Sequence, residues 1–162
     1  MSAARFERRA LADFPGGDLR MRFGPDGLLN IVLDVIGSVV WPKSDRQEFQ
    51  VRENVLRTVV LYGYAAGIFS SRDLELECRS EKSLQYISKC GVPSWHDIRQ
   101  FRRRESPFLK RALIEVLKKA SESVNYWEMA MERFESSALK MEREADRRFS
   151  LAIKADSAAL DD

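Results

Sequence analysis

A single histidine and two cysteines are all that 162 residues offer in soft metal ligands and imidazole bases. His96 alone excludes any site built on a histidine pair. Cys78 and Cys90 are too few for a disulfide framework. Their spacing to each other and to His96 fits no compact zinc motif, and a fourth ligand is missing. A cysteine–histidine nucleophilic pair would lack an orienting third group. There is no phosphate-cradling glycine loop. No apolar run approaches the ~18 residues that cross a bilayer. The opening stretch, MSAARFERRALADFPGG, lacks the unbroken apolar core of a secretory signal. The expectation is a cytoplasmic protein, nucleoid-associated if it binds DNA, with reduced thiols, no membrane span, no metal, no cofactor and no catalytic residue.

What is present is ordinary for a folded chain: 44% hydrophobic and 32% charged residues, enough for one domain and an appendage. The charge is uneven. Residues 1–22 carry a net +2, residues 23–88 a net −2, residues 89–119 a net +6 and residues 120–162 a net −4. A basic middle followed by an acidic end points to an anionic partner at one place on the molecule.

Every periodic segment reads as helix. Residues 1–24 form a basic arm broken by Pro15-Gly16-Gly17. Leu28, Leu29, Ile31, Val32, Val35 and Ile36 make the stripe of a helix that stops before Trp41-Pro42. From Glu48 a second helix runs through Ser71, its stretch from Leu61 to Ile68 apolar nearly all round, as a buried central helix would be. Gly63 and Gly67, four apart within it, suit close helix packing. Ser70 and Ser80 open two short helices. Gly91 and Pro93 make a turn, and Ser94-Trp95-His96-Asp97 is a capping box that opens a helix over 95–104. Residues 25–119 thus form a helical head.

Ser106-Pro107 starts the last helical stretch, and no glycine or proline follows from 108 to 162. Leu117, Ala120, Val124, Trp127, Met131, Phe134, Ala138, Met141 and Ala145 alternate in steps of three and four, and Arg148 is the exception to the heptad. A straight helix over 107–156 would reach ~75 Å, too long for one small domain. It must pair with something, most simply in a homodimer, or by folding against its own head. Residues 120–162 therefore read as a coiled-coil-like tail. The aspartates Asp146, Asp156, Asp161 and Asp162 fall in it as an acidic end.

The segment Glu81–Lys89, the turn CGVP and the helix SWHDIRQFRRR have the order of a helix–turn–helix unit, whose second helix enters the major groove of double-stranded DNA. Trp95, His96, Arg99, Gln100, Arg102 and Arg103 are its candidate exposed residues, with Ile98 and Phe101 inward. Arginine forks guanine edges and glutamine pairs with adenine. Arg104, Lys110, Arg111, Lys118 and Lys119 are candidates for phosphate. A solvated basic face on an ordinary helix accounts for the same composition.

LYGYAAGIFSSRDLE, followed by SWHDIRQFRRR, resembles the N-terminal helical domain of InsH-like insertion-sequence transposases of the DDE group. Leu61, Tyr62, Gly63, Tyr64, Gly67, Ser70, Ser71, Arg72, Leu74 and Glu75 carry the first part of the likeness, Tyr86 and Ile87 the middle. His96, Asp97, Ile98, Phe101, Arg102, Arg103 and Arg104 carry the last part, and FGPDGLLNIVLDVIGSV resembles the family's opening helix. The likeness covers residues 23–118. It implies an all-α module that recognises element DNA during transposition. In the family a strand bearing "DGT" follows and supplies the first metal-binding aspartate. No such strand follows Ala120. Residues 124–162 resemble instead a charged helical insertion of some relatives, so the two-metal chemistry cannot be carried over. The competing reading is a non-catalytic oligomerisation protein that modulates a full-length transposase through its tail.

Overall fold

The structure is a computed structural model that describes residues 18–43, 47–122 and 137–160. Among these residues all regular structure is helical, in seven helices: α1 (Arg20–Ser38), α2 (Gln47–Ala66), α3 (Ser71–Ser80), α4 (Lys82–Ile87), α5 (Trp95–Arg104), α6 (Ser106–Glu122) and α7 (Ser137–Ala158). No described helix is long and apolar enough to cross a membrane.

Helix α2 is the axle. Every residue from Leu56 to Ala66 is buried, and the helix touches all six others. Such all-round burial requires small residues where neighbours come closest. Gly63 is one: a Cβ there would lie 2.9 Å from Leu74 Cδ2 on α3. Gly67 has a different task. Its φ of +76° is the left-handed conformation that ends a helix, and glycine adopts it without Cβ strain.

Capping sets the starts of α3 and α5, whereas α4 starts after Glu81, not Ser80, with no side-chain cap. Ser70 Oγ accepts from Asp73 N at the start of α3, and Ser94 Oγ accepts from Asp97 N, 3.1 Å away, at the start of α5. α1 breaks at Gly24, just before Pro25, and ends at Ser38. Trp41 then turns back, its indole N–H donating to the Ile36 carbonyl at 3.0 Å, while Arg57 stacks 4.7 Å over its ring. The head begins earlier than position 25. Leu19 lies in the core, and Arg20 bonds Asp18 at 2.8 Å and Glu81 at 3.0 Å. Tyr62 donates to the other oxygen of Glu81, so this network ties α1 and α2 to the start of α4.

The long straight helix does not form. Asp146 on α7 lies 2.5 Å from Lys110 on α6, whereas one continuous helix would hold residues this far apart in sequence ~54 Å apart. α7 runs antiparallel to α6 and packs against α2 and α3 as well. Leu117 and Ala120, together with Met141 and Ala145, are buried within the one chain. The seam positions Val124, Trp127, Met131 and Phe134 lie outside the described residues.

Arg148, the exception to the heptad, explains where α7 docks. It is fully buried and donates from Nη1 to the carbonyls of Tyr64 (2.6 Å) and Ala65 (3.0 Å). Those carbonyls sit at the C-terminus of α2, where a cation is favoured by the unsatisfied oxygens and the helix dipole. Its Nε bonds Glu144 at 2.8 Å. Burial alone would push the Glu144 carboxyl up, but hydrogen bonds from Arg147 and the charge of Arg148 prevail and hold it below its ordinary value. Phe149, next in sequence, stacks on Tyr64 with centroids 4.5 Å apart.

Candidate nucleic-acid interface

The candidate recognition helix spans Trp95–Arg104, as its caps predict. Its partner differs from the expectation. α4 is a six-residue helix, and residues 88–94 separate it from α5, longer than the three or four residues of the usual unit. α5 packs on α3 instead. Glu75 of α3 accepts from Trp95 N at 2.8 Å, and this bond, with one from Arg79, draws the Glu75 carboxyl below its ordinary range. The Asp97 carboxylate reaches across to Arg52, at 2.8 Å.

The ten residues of α5 divide by spacing. Ile98, Phe101 and Arg102 are one, three and four apart and form the buried face. His96, Arg99, Gln100 and Arg103 recur at i, i+3, i+4 and i+7, so they share a second stripe, whose Arg99 and Arg103 border Arg102. His96, Gln100 and Arg103 are exposed and Arg99 is half-buried. Gln100 Nε2 and His96 Nε2 are 3.0 Å apart and hydrogen-bonded. Trp95 is half-buried under Arg72, which stacks 5.2 Å over its ring.

Arg102 is a correction. Expected on the surface, its side chain is 6% exposed. Its Nη1 donates to the Phe69 carbonyl (2.6 Å), Ser71 Oγ (3.2 Å) and Asp156 (3.3 Å), and its guanidinium lies 4.9 Å over Tyr64. It cannot meet DNA without unpacking the head. Asp156 also accepts from Ser71 N at 2.7 Å and so caps the first turn of α3. An aspartate read as part of an acidic tail is therefore a core connector. The pair does not silence the buried Tyr64 phenol, whose ionisation burial pushes up to about 12.

The candidate phosphate contacts also divide. Arg104 pairs with Glu53 at 3.3 Å and Glu105 at 3.1 Å. Lys110 pairs with Asp146, Lys118 with Glu115 at 3.0 Å, and Lys119 with Asp34 at 3.4 Å. Arg111 is exposed. Arg99, Arg103 and Arg111 make no ion pair among the described residues. Cys78 is buried, and burial raises its thiol to about 12. Cys90 is exposed. Among the described residues no group of three metal-ligating side chains comes together.

No protein-family model, curated protein or solved structure matches the chain.

Proposed function

We propose that the chain is a DNA-binding module of transposase type, which holds insertion-element DNA and has no catalytic chemistry of its own. The observation that carries this reading is the outer face of α5. His96, Arg99, Gln100 and Arg103 stand on one stripe, and the two arginines among them have no ion pair among the described residues, while Arg102, Arg104 and Lys110 are tied to carboxylates. Guanidinium and carboxamide groups on one exposed helix face are the donors that fork guanine and adenine edges in a major groove. The net charge of +6 over residues 89–119 and the likeness to the transposase head point the same way. α5 would act as the recognition helix, braced by α3 in the place of a first helix. A full-length transposase is the natural partner of such a module.

The oligomerisation reading draws no comparable support. The described part of the apolar face that was to pair two tails, Leu117, Ala120, Met141 and Ala145, is already buried within the one chain.

Fluorescence anisotropy on duplexes carrying candidate element ends, with a salt titration, tests the proposal. Arg99→Ala or Gln100→Ala should cost about 1–3 kcal/mol on the right duplex and relax its sequence preference. Arg111→Ala should weaken all duplexes alike and lower the salt slope by about one. Lys110→Ala should do less, because Asp146 already holds that ammonium. Absence of binding to any duplex at low salt sinks the reading.

A further inference from the structure

Between the C-terminal half of α5 and the last turns of α7 lies a cleft of about 250 Å³. Arg99, Arg102 and Arg103 line it from α5, and Phe149, Ile153 and Asp156 from α7. Three arginines and one aspartate therefore share its lining. That carboxylate is already engaged by Ser71 and by Nη1 of Arg102.

The donors are the telling feature. Arg102 is more than nine-tenths buried, yet its Nε and Nη2 have no hydrogen-bond partner among the described residues. Arg99 is half-buried, but its Nε is enclosed and likewise has no partner among the described residues. Buried donors without acceptors are rare in folded proteins and costly, most of all when the group is charged. Water would fill the hydrogen bonds but not balance the charge. A planar fork of N–H groups fits the oxygens of a phosphate, which can accept two parallel bonds from each guanidinium. The other wall is apolar, with Phe149 held against Tyr64 and Ile153 65% exposed. Such a wall suits the organic part of a ligand whose charged end lies among the arginines.

We propose that this cleft binds a small phosphate monoester, its oxyanion on Arg99, Arg102 and Arg103 and its apolar body along Phe149 and Ile153. The excess of two positive charges matches a dianionic monoester better than the singly charged diester of a nucleic-acid backbone. The site shares Arg99 and Arg103 with the DNA reading but does not depend on it, and its test contains no DNA.

Phenyl phosphate, inorganic phosphate and dimethyl phosphate serve as probes, titrated into the full chain in mildly alkaline, low-chloride buffer. Calorimetry gives affinity, and the arginine Nε–H resonances report the site. Phenyl phosphate should saturate and shift the Nε–H signals of Arg99 and Arg102. It should bind about tenfold tighter than inorganic phosphate, from burial of its ring. Arg99→Gln and Arg103→Gln, both outside the packed core, should each weaken it about tenfold. Arg111→Gln should leave it unchanged. Failure of phenyl phosphate to saturate at roughly 10 millimolar overturns the proposal, as does equal binding to the Arg99→Gln, Arg103→Gln double variant. Dimethyl phosphate binding as tightly as phenyl phosphate would make the cleft a seat for a backbone diester and overturn the monoester assignment. Equal affinity for inorganic and phenyl phosphate would remove the role given to the apolar wall.

Discussion

Helices α5 and α7 both lie on the head, and each buries one arginine, but they spend their charge differently. In α7 the buried Arg148 and its neighbour Arg147 are both answered by Glu144 from the same helix. In α5 the buried Arg102 must borrow Asp156 from α7, and two further arginines on its rim find no carboxylate among the described residues. The first arrangement is a clamp, closed on itself and on the end of α2. The second is left with donors to offer. A residue type that builds the fold in one helix is thus available for binding in the other, and composition alone does not separate the two uses.

The largest effect should come from breaking the clamp. Arg148→Met leaves two helix-end carbonyls without their donor and Glu144 with one partner fewer, and should cost about 3–5 kcal/mol. Urea denaturation measures it. Adding Glu144→Leu should recover part of the loss, since a matched apolar pair can replace a buried ion pair. A loss below about 1 kcal/mol for Arg148→Met would mean that α7 is held elsewhere.

Asp156→Asn touches both helices at once. It removes the charge that balances Arg102 and weakens the cap on Ser71, for about 2 kcal/mol. The same urea curves report it, and backbone amide exchange at the first turn of α3 should quicken. Unchanged exchange there would separate Asp156 from the α3 cap.

Acid should act on the clamp as well. The Glu144 carboxyl is depressed in the folded protein, so its contribution is fully present above the ordinary carboxyl value of 4.5 and is lost as pH falls through the lower folded value. Glu144→Gln should flatten the acid limb of a stability-against-pH curve while lowering its plateau. An acid limb identical to wild type would sink the assignment.

The smallest effect on stability belongs to the rim. Arg103→Gln should change the unfolding free energy by less than about 0.5 kcal/mol, because the side chain is exposed and makes no ion pair among the described residues. A large loss would show that this arginine belongs to the fold and not to a binding surface.

Much of this division was legible in the sequence, and the rest failed for definite reasons. Ser70, Ser94 and Pro93 mark their helix boundaries because capping is local chemistry. The apolar run from Leu61 to Ile68 announced a buried axle. Arg102 was misplaced because its charge outweighed its position. The spacing that turns Ile98 and Phe101 inward puts Arg102 beside them, and only a partner distant in sequence, Asp156, makes that tolerable. The sequence leaves the tail's partner open between another copy and its own head, because three-and-four alternation looks the same whichever helix faces it. Arg148, breaking the heptad, marks the stretch of this face that meets the end of α2. The unpaired donors of the cleft left no trace in the sequence, since they exist only once α5 and α7 stand side by side.

The reach of these anchors also bears on how the chain finds its shape. The bonds from Arg148 to Tyr64 and from Ser71 to Asp156 close loops of 84 and 85 residues. The cap bonds of α3 and α5 close within three. Long closures carry their entropic cost before any contact returns it, so local helices form first and distant ones wait. Docking of α7 should therefore follow the folding barrier rather than precede it. Weakening Arg148 or Asp156 should therefore hasten unfolding far more than it slows folding, and the arginines of α5 spend the early moments of folding without the counter-charge that later settles one of them.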